Sequence, residues 1–87
     1  MLPGADLIEA GLTDLATGAT SQAALLVLIG APRLRQLGLV VEPSRIEHPE
    51  HDLYELLHKE AADSAHGRYN ALIRRLVSFE RAAACAA

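Results

Sequence analysis

The sequence predicts an all-α protein, a small bundle of four to five helices packed in an orthogonal or irregular way. Composition is the first reason, because the 87 residues include sixteen Ala and fifteen Leu, which are strong helix formers. The second is the scarcity of aromatic residues, which favour strands: two Tyr, one Phe and no Trp. The third is the recurrence of apolar residues at helical spacing. A chain of this length has room for one core, so we expect a single domain over 1–87.

The first helix is predicted over 5–17, where apolar residues such as Ile8 and Leu15 recur on one face. Gly11 interrupts this pattern at a cost of about 1 kcal/mol relative to Ala. Because glycine has no side chain, its presence inside a helix despite this cost indicates that another helix crosses closely at this position. Gly18 is well placed as the residue just past the end of the helix.

The central helix is predicted over 20–30, with Ser21 or the Thr before it as the N-cap. It is apolar on all sides, which is typical of the most buried helix of a domain. A short third helix is predicted over 33–37. Pro32 at its first position and Gly38 just past its end are the residues that favour these boundaries.

The last two helices are predicted over 49–62 and 64–83. A proline opens the first of them, and Asp63 is the expected cap of the second. Glu80 falls within the apolar arc of the long final helix, so its carboxylate either lies at an edge of the arc or pairs with an Arg or His, and we expect the pairing. The small-residue tail 84–87 is expected to fray.

Composition and charge limit the class of protein. The formal net charge of −3 argues against a general binder of nucleic acid or membrane surfaces. The one cysteine, Cys85, excludes an intramolecular disulfide framework and is typical of a reducing compartment. The longest apolar run, 23–29, is too short to span a membrane, and the first residues lack the basic start of a signal peptide. We expect a cytoplasmic protein with no membrane contact.

The small core and the charge distribution predict association. Ala-rich helices bury little apolar area each, so the stability margin is thin and a partner would increase it. Charge alternates in sign along the chain, with −5 over 47–63 and +3 over 64–87. Helices of opposite sign attract each other within one chain or between two. We therefore expect the protein to bind itself, as a homodimer, or another protein.

The outer face of the last predicted helix is the candidate interaction site. Small residues alternate there with arginines, so that another backbone could approach closely while guanidinium groups reach its acids. The proposed contact residues are Gly67, Arg68, Ala71, Arg74, Arg75, Ser78 and Arg81. Two other interpretations stay open. Ala is a good helix former on any exposed face, and the arginines could bind phosphates if the protein is a nucleic-acid-associated regulator.

A metal site is a weaker alternative. His51, Glu55 and His58 lie at i, i+4 and i+7 and so share one face of the fourth predicted helix. A two-fold dimer would double this Glu-x-x-His set, although metal sites usually draw ligands from several elements. The sequence has no Gly-rich phosphate loop, Ser-His-Asp set or dinucleotide fingerprint, so it predicts neither an enzyme nor a cofactor.

Overall fold

A computed structural model describes residues 2–86 and contains, within that range, five α-helices, one short 3-10 turn and no β-strand. The prediction of an all-α fold is therefore confirmed. The helices are α1 (Ala5–Ala16), α2 (Gln22–Ile29), α3 (Ala31–Gln36), α4 (Pro49–Glu60) and α5 (Ala65–Ala86), and the 3-10 turn is Ala62–Ser64.

α1 and α2 cross closely at Gly11, as the sequence predicted. A Cβ atom built on Gly11 would lie 2.5 Å from a methyl carbon of Val27 and would overlap the backbone oxygen of Ala23. The missing side chain lets the two backbones approach, and Ile8 is fully buried one turn earlier on α1. The crossing fixes the position of α1 on the central helix.

α2 is the central helix, and its local sequence explains both its start and its burial. Ser21 is the N-cap, since its hydroxyl accepts a hydrogen bond from the backbone N–H of Ala24 at 3.1 Å. The same hydroxyl donates to a carboxylate oxygen of Asp14 on α1. The buried residues of α2 are Ala23, Ala24, Leu25, Leu26 and Val27. An all-apolar helix is thus surrounded by the others, as predicted.

α3 begins at Ala31, so Pro32 is its second residue and not, as predicted, its first. Proline is tolerated throughout the first turn of a helix, where backbone N–H groups have no partner within the helix, so Pro32 does not have to be the first helical residue. Gly38 follows α3 with a φ of 94°, a conformation that favours glycine. The chain then runs without regular structure to α4, burying Val41 and leaving Val40 80% exposed.

The boundaries between and after the last helices also differ from the prediction. α4 ends at Glu60, and Asp63 lies inside the 3-10 turn, for which the structure shows no side-chain cap. α5 then continues through Ala86 rather than ending near 83, because Ala is the best helix former and no glycine or proline interrupts the tail. Three of the four tail residues are therefore helical, and Ala87 lies outside the described residues.

The start of α1 packs against the second half of α5. Gly4 precedes α1 with a φ of 77°, and a Cβ atom built there would lie 3.0 Å from the carbonyl oxygen of Arg75 and 3.5 Å from Cβ of Phe79. Asp6, in the first turn of α1, accepts a hydrogen bond from the Arg75 guanidinium at 3.1 Å. Residues separated by 69 positions along the chain are thus in direct contact.

The buried apolar side chains form one cluster, to which all five α-helices contribute. The body measures 38 × 25 × 18 Å, and α5, with 22 residues, is about 33 Å long, close to the largest dimension. The accessible surface of 5373 Å² is somewhat larger than the roughly 5,000 Å² expected for a compact protein of this mass. One long side of α5 contributes to this surface.

Candidate interaction surface on the last helix

α5 has two faces with different surroundings. One face buries Ala65, Leu76 and Phe79 in the core. The opposite side is exposed and carries every interaction residue proposed from the sequence. These exposed residues are Gly67, Arg68, Ala71, Arg74, Arg75, Ser78 and Arg81. The structure therefore places the whole candidate set on the surface of one helix.

Two of the four arginines are engaged within the protomer. Arg75 contacts Asp6 of α1 at 3.1 Å, and Arg68 lies 3.8 Å from Glu60 at the end of α4. Both arginine side chains remain about half exposed, so these surface ion pairs contribute at most about 1 kcal/mol each. They orient one edge of α5 toward the rest of the fold.

That edge forms one side of an open groove of about 250 Å³ between α2, α4 and α5. Its floor is apolar, with Leu57 and Leu72, and its rim carries Arg68 and Arg75. Gln22 on α2 donates a hydrogen bond to the Glu60 carboxylate at 2.8 Å across the same rim. The contacts of Arg68 with Glu60, of Arg75 with Asp6 and of Gln22 with Glu60 were not predicted from the sequence, because no local pattern predicts contacts across such separations.

The other two arginines, Arg74 and Arg81, form no ion pair within 4 Å in the part of the chain that the structure describes. The same is true of Glu50 and Asp52 on α4. α4 has a formal net charge of −3, and α5 has one of +3. Two helices of opposite charge therefore each present unpaired groups on their outer surfaces.

The three candidate metal ligands occupy exposed positions on α4 but do not converge. His51 Nε2 lies 3.8 Å from Glu55 Oε1. The ring of His58 instead stacks against Tyr54, with a centroid distance of 6.4 Å, and Tyr54 in turn makes an edge contact with Tyr69. Among residues 2–86, no three His, Cys, Asp or Glu side chains come together in a way that could hold one metal ion.

Glu80 is half-buried on α5 against the junction of α2 and α3. A Cβ atom built on Gly30 would lie 3.2 Å from its carboxylate and 2.8 Å from a methyl carbon of Leu76, so the ends of both side chains pack closely against this glycine. Burial raises the pKa of Glu80, and the positive charge of Arg33 lowers it by a smaller amount. The expected basic partner is thus nearby, although no ion pair within 4 Å forms in the described chain.

We expect Glu80→Gln to change how stability depends on pH. The pKa of Glu80 is higher in the folded than in the unfolded state, so its ionisation destabilises the fold. The stabilising effect of the neutral carboxyl is complete below the unfolded-state pKa and is lost as pH rises toward the folded-state value. The variant should therefore become more stable relative to the wild type from acid to neutral pH.

The measurement is urea unfolding of the wild type and Glu80→Gln at several pH values from acid to neutral. Glu42→Gln, on an exposed carboxylate, is the matched control and should follow the wild type. A wild-type protein that gains stability over Glu80→Gln as pH rises would contradict the sign of this prediction.

The apolar side chains leave little exposed surface that demands a partner. Among the described residues, only Val40 and Tyr54 are large hydrophobic residues that remain exposed, at 80% and 37%. We expected a partner to bury apolar surface that the protomer leaves exposed. The exposed large hydrophobic side chains of the described residues do not form a large apolar patch for such a partner.

Comparisons with known proteins give no family, relative or structural neighbour: no family model, no curated protein and no solved structure matches the chain. In the described part of the chain, no helix combines the length and the apolar character needed to cross a lipid bilayer.

Proposed function

We propose that this protein is a non-enzymatic protein–protein interaction module that associates with itself through the outer face of α5. The observation that carries the proposal is the pattern of unpaired charge. Arg74 and Arg81 have no acidic partner in the described part of their own protomer, whereas α4 exposes unpaired acids. Complementary charge across an interface speeds association and selects the correct partner.

The expected complex is reversible and of moderate affinity. Interfaces without a large apolar centre belong to the smaller, transient class, and area alone does not give affinity. With Tyr54 as the only exposed aromatic residue in the described chain, we expect a dissociation constant in the range of about 10–100 μM.

Nucleic-acid binding is the alternative use of the α5 arginines, and no specific observation favours it. Arg68 and Arg75, two of the four arginines that this interpretation uses, already contact Glu60 and Asp6. Those carboxylates lie where phosphates would have to bind and would repel them. The net charge of −3 acts in the same direction.

The test is the concentration dependence of the molar mass. By sedimentation equilibrium from about 5 to 500 μM, the wild type should pass from monomer toward dimer. Replacing Arg74 and Arg81 with Ala should weaken the dimer about three- to tenfold, and high salt should do the same. Arg45→Ala, on an exposed arginine outside α5, is the control and should leave the equilibrium unchanged. A wild type that is monomeric throughout this range refutes self-association.

A further inference from the structure

We infer that a cavity between the turn after α1 and the chain before α4 binds a small aliphatic carboxylate. The cavity has a volume of about 360 Å³, within the range of about 300–1,000 Å³ that is typical of small-molecule sites. No residue of α5 lines it. The inference is therefore independent of the proposed self-association through α5.

One wall of the cavity is the end of α1 and the turn that follows it. Gly18 adopts a φ of 80°, and the backbone N–H of Ala19 donates to the carbonyl oxygen of Asp14 at 2.8 Å. The turn places Leu15, Gly18, Ala19 and Thr20 along one side of the cavity. A Cβ atom built on Gly18 would have no neighbour within 4 Å, so the space beside this turn is open.

The other wall belongs to the connection between α3 and α4, residues 37–48. Connections in compact domains have a median length of about 4–6 residues, so this one is long. It is held to the core by Val41, which is buried and whose carbonyl oxygen accepts a hydrogen bond from Arg35 at 3.1 Å. Beyond this anchor, residues 43–46 line the cavity.

The polar side chains that line the cavity are hydrogen-bond donors, and no carboxylate is among them. Arg45 forms no ion pair within 4 Å in the described part of the chain. The Ser44 hydroxyl oxygen accepts from the backbone N–H of Ile46 at 3.2 Å, which leaves its O–H free to donate. Thr20 contributes a second hydroxyl. One guanidinium group and two hydroxyl groups together suit a carboxylate, which only accepts hydrogen bonds.

The apolar side chains of the cavity indicate the rest of the ligand. Leu15 lies on one wall and Ile46 on the other, and both are partly buried. An aliphatic chain between them would remove their remaining apolar surface from water, which the hydrophobic effect favours. A small anion without such a chain would leave this surface hydrated. The cavity therefore suits a carboxylate that carries a short apolar group.

A neighbouring cavity determines which way the ligand lies. It has a volume of about 320 Å³ and adjoins the first, since Thr20 and Ile46 line both. Its charged lining residues are Asp52, Glu55 and Lys59. The formal net charge of this second cavity is thus negative, which repels an anion. The carboxylate of the ligand is therefore directed to Arg45, and its chain points toward Ile46.

The test is a titration of isotope-labelled protein with hexanoate, followed by NMR at constant ionic strength. Hexanoate should shift the backbone signals of residues 15–20 and 44–46. The shifts should saturate with a dissociation constant of about 1–5 mM, as suits a ligand of about eight non-hydrogen atoms. Hexanol lacks the charge and acetate lacks the chain, so each should bind at least about fivefold more weakly.

Two variants separate the role of charge from that of space. Arg45→Gln should weaken hexanoate binding at least about fivefold and leave hexanol binding unchanged. Ala19→Phe places a ring in the cavity and should abolish the binding of both compounds. Arg33→Gln, on an exposed arginine outside the cavity, is the matched control and should bind hexanoate as the wild type does. Circular dichroism verifies that each variant is folded.

Each contrary result overturns a defined part of the inference. Hexanoate shifts that do not saturate by about 20 mM, or that spread over the whole surface, refute a site in this cavity. Equal binding of hexanoate and hexanol refutes the carboxylate, as does unchanged hexanoate affinity in Arg45→Gln. Undiminished binding by Ala19→Phe places the ligand elsewhere. Sedimentation equilibrium measures self-association separately, so none of these results decides the proposed function.

Discussion

Replacing Gly11 with Ala is expected to destabilise the protein by about 3 kcal/mol, because the added methyl group has no space at the crossing of α1 and α2. The new Cβ atom would overlap the backbone oxygen of Ala23, and backbone cannot rotate away as the end of a side chain can. For a domain of this size, such a loss lowers the melting temperature by about 15 °C. Thermal unfolding followed by circular dichroism gives the change.

Gly67→Ala is the matched control for Gly11→Ala. Gly67 also lies in a helix, but a Cβ atom built there has no neighbour within 4 Å. The substitution should therefore stabilise the protein by up to about 1 kcal/mol, the difference in helix propensity between Gly and Ala. Thermal unfolding of both glycine variants is measured at low protein concentration, where the protein is monomeric. This is necessary because Gly67 lies on the proposed docking face and could also affect self-association. Two glycine variants with the same sign of effect would contradict the role assigned to the crossing.

Truncation of Leu53 to Ala should cost about 3–4 kcal/mol of the free energy of unfolding. Leu53 has no accessible surface and, with Leu57, is one of the two buried residues on α4. Removing its side chain leaves a cavity where α4 joins the core, which neighbouring helices fill only in part. Chemical denaturation at equilibrium is the measurement.

Leu56→Ala on the same helix is the comparison for Leu53→Ala. Leu56 is only partly buried and lines an open groove, so water already reaches part of its side chain. The same chemical change there should cost about 1 kcal/mol, in proportion to the smaller apolar area removed from contact. Equal losses at the two positions would mean that α4 is not attached to the core through Leu53.

Features determined by neighbouring residues could be predicted from the sequence. Ser21 caps α2, Gly38 adopts a positive φ after α3, and Gly11 marks a close crossing. Each of these depends on the chemistry of one residue and its immediate context. The helical class, the central position of α2 and the exposed face of α5 follow from periodicity in the same way.

The helix ends were less accurately predicted, since several residues there compete for the same role. Pro32 suits either the first or the second helical position, and the structure uses the second. Asp63 is a good cap in sequence, but a 3-10 turn continues directly into α5 and leaves no place for a cap. Such choices depend on how the chain enters the next packed element, which local propensity does not describe.

Contacts between distant residues lay outside the reach of sequence patterns. The pair Arg75–Asp6 and the pair Gln22–Glu60 depend on how α5 and α4 are placed on the core, not on the residues beside them. For the same reason, the sequence placed Arg68 and Arg75 on one edge of the apolar stripe of α5 and Arg74 and Arg81 on the other, but it did not show which pair has partners within the protomer. The difference between those pairs determines which of them is available to a second protein.

The contact of Gly4 with Arg75 and Phe79 also determines when the fold can close. During synthesis α1 can pack on α2 as soon as both helices have emerged, but the contacts of Gly4 and Asp6 with α5 can form only after the ribosome has released the residues around Phe79. Until then α5 does not yet cover the apolar central helix α2. Its exposed apolar surface can bind chaperones or lead to aggregation. The contact between the start of α1 and α5 also closes a long loop of the chain. The entropy lost on closing this loop slows the last step of folding.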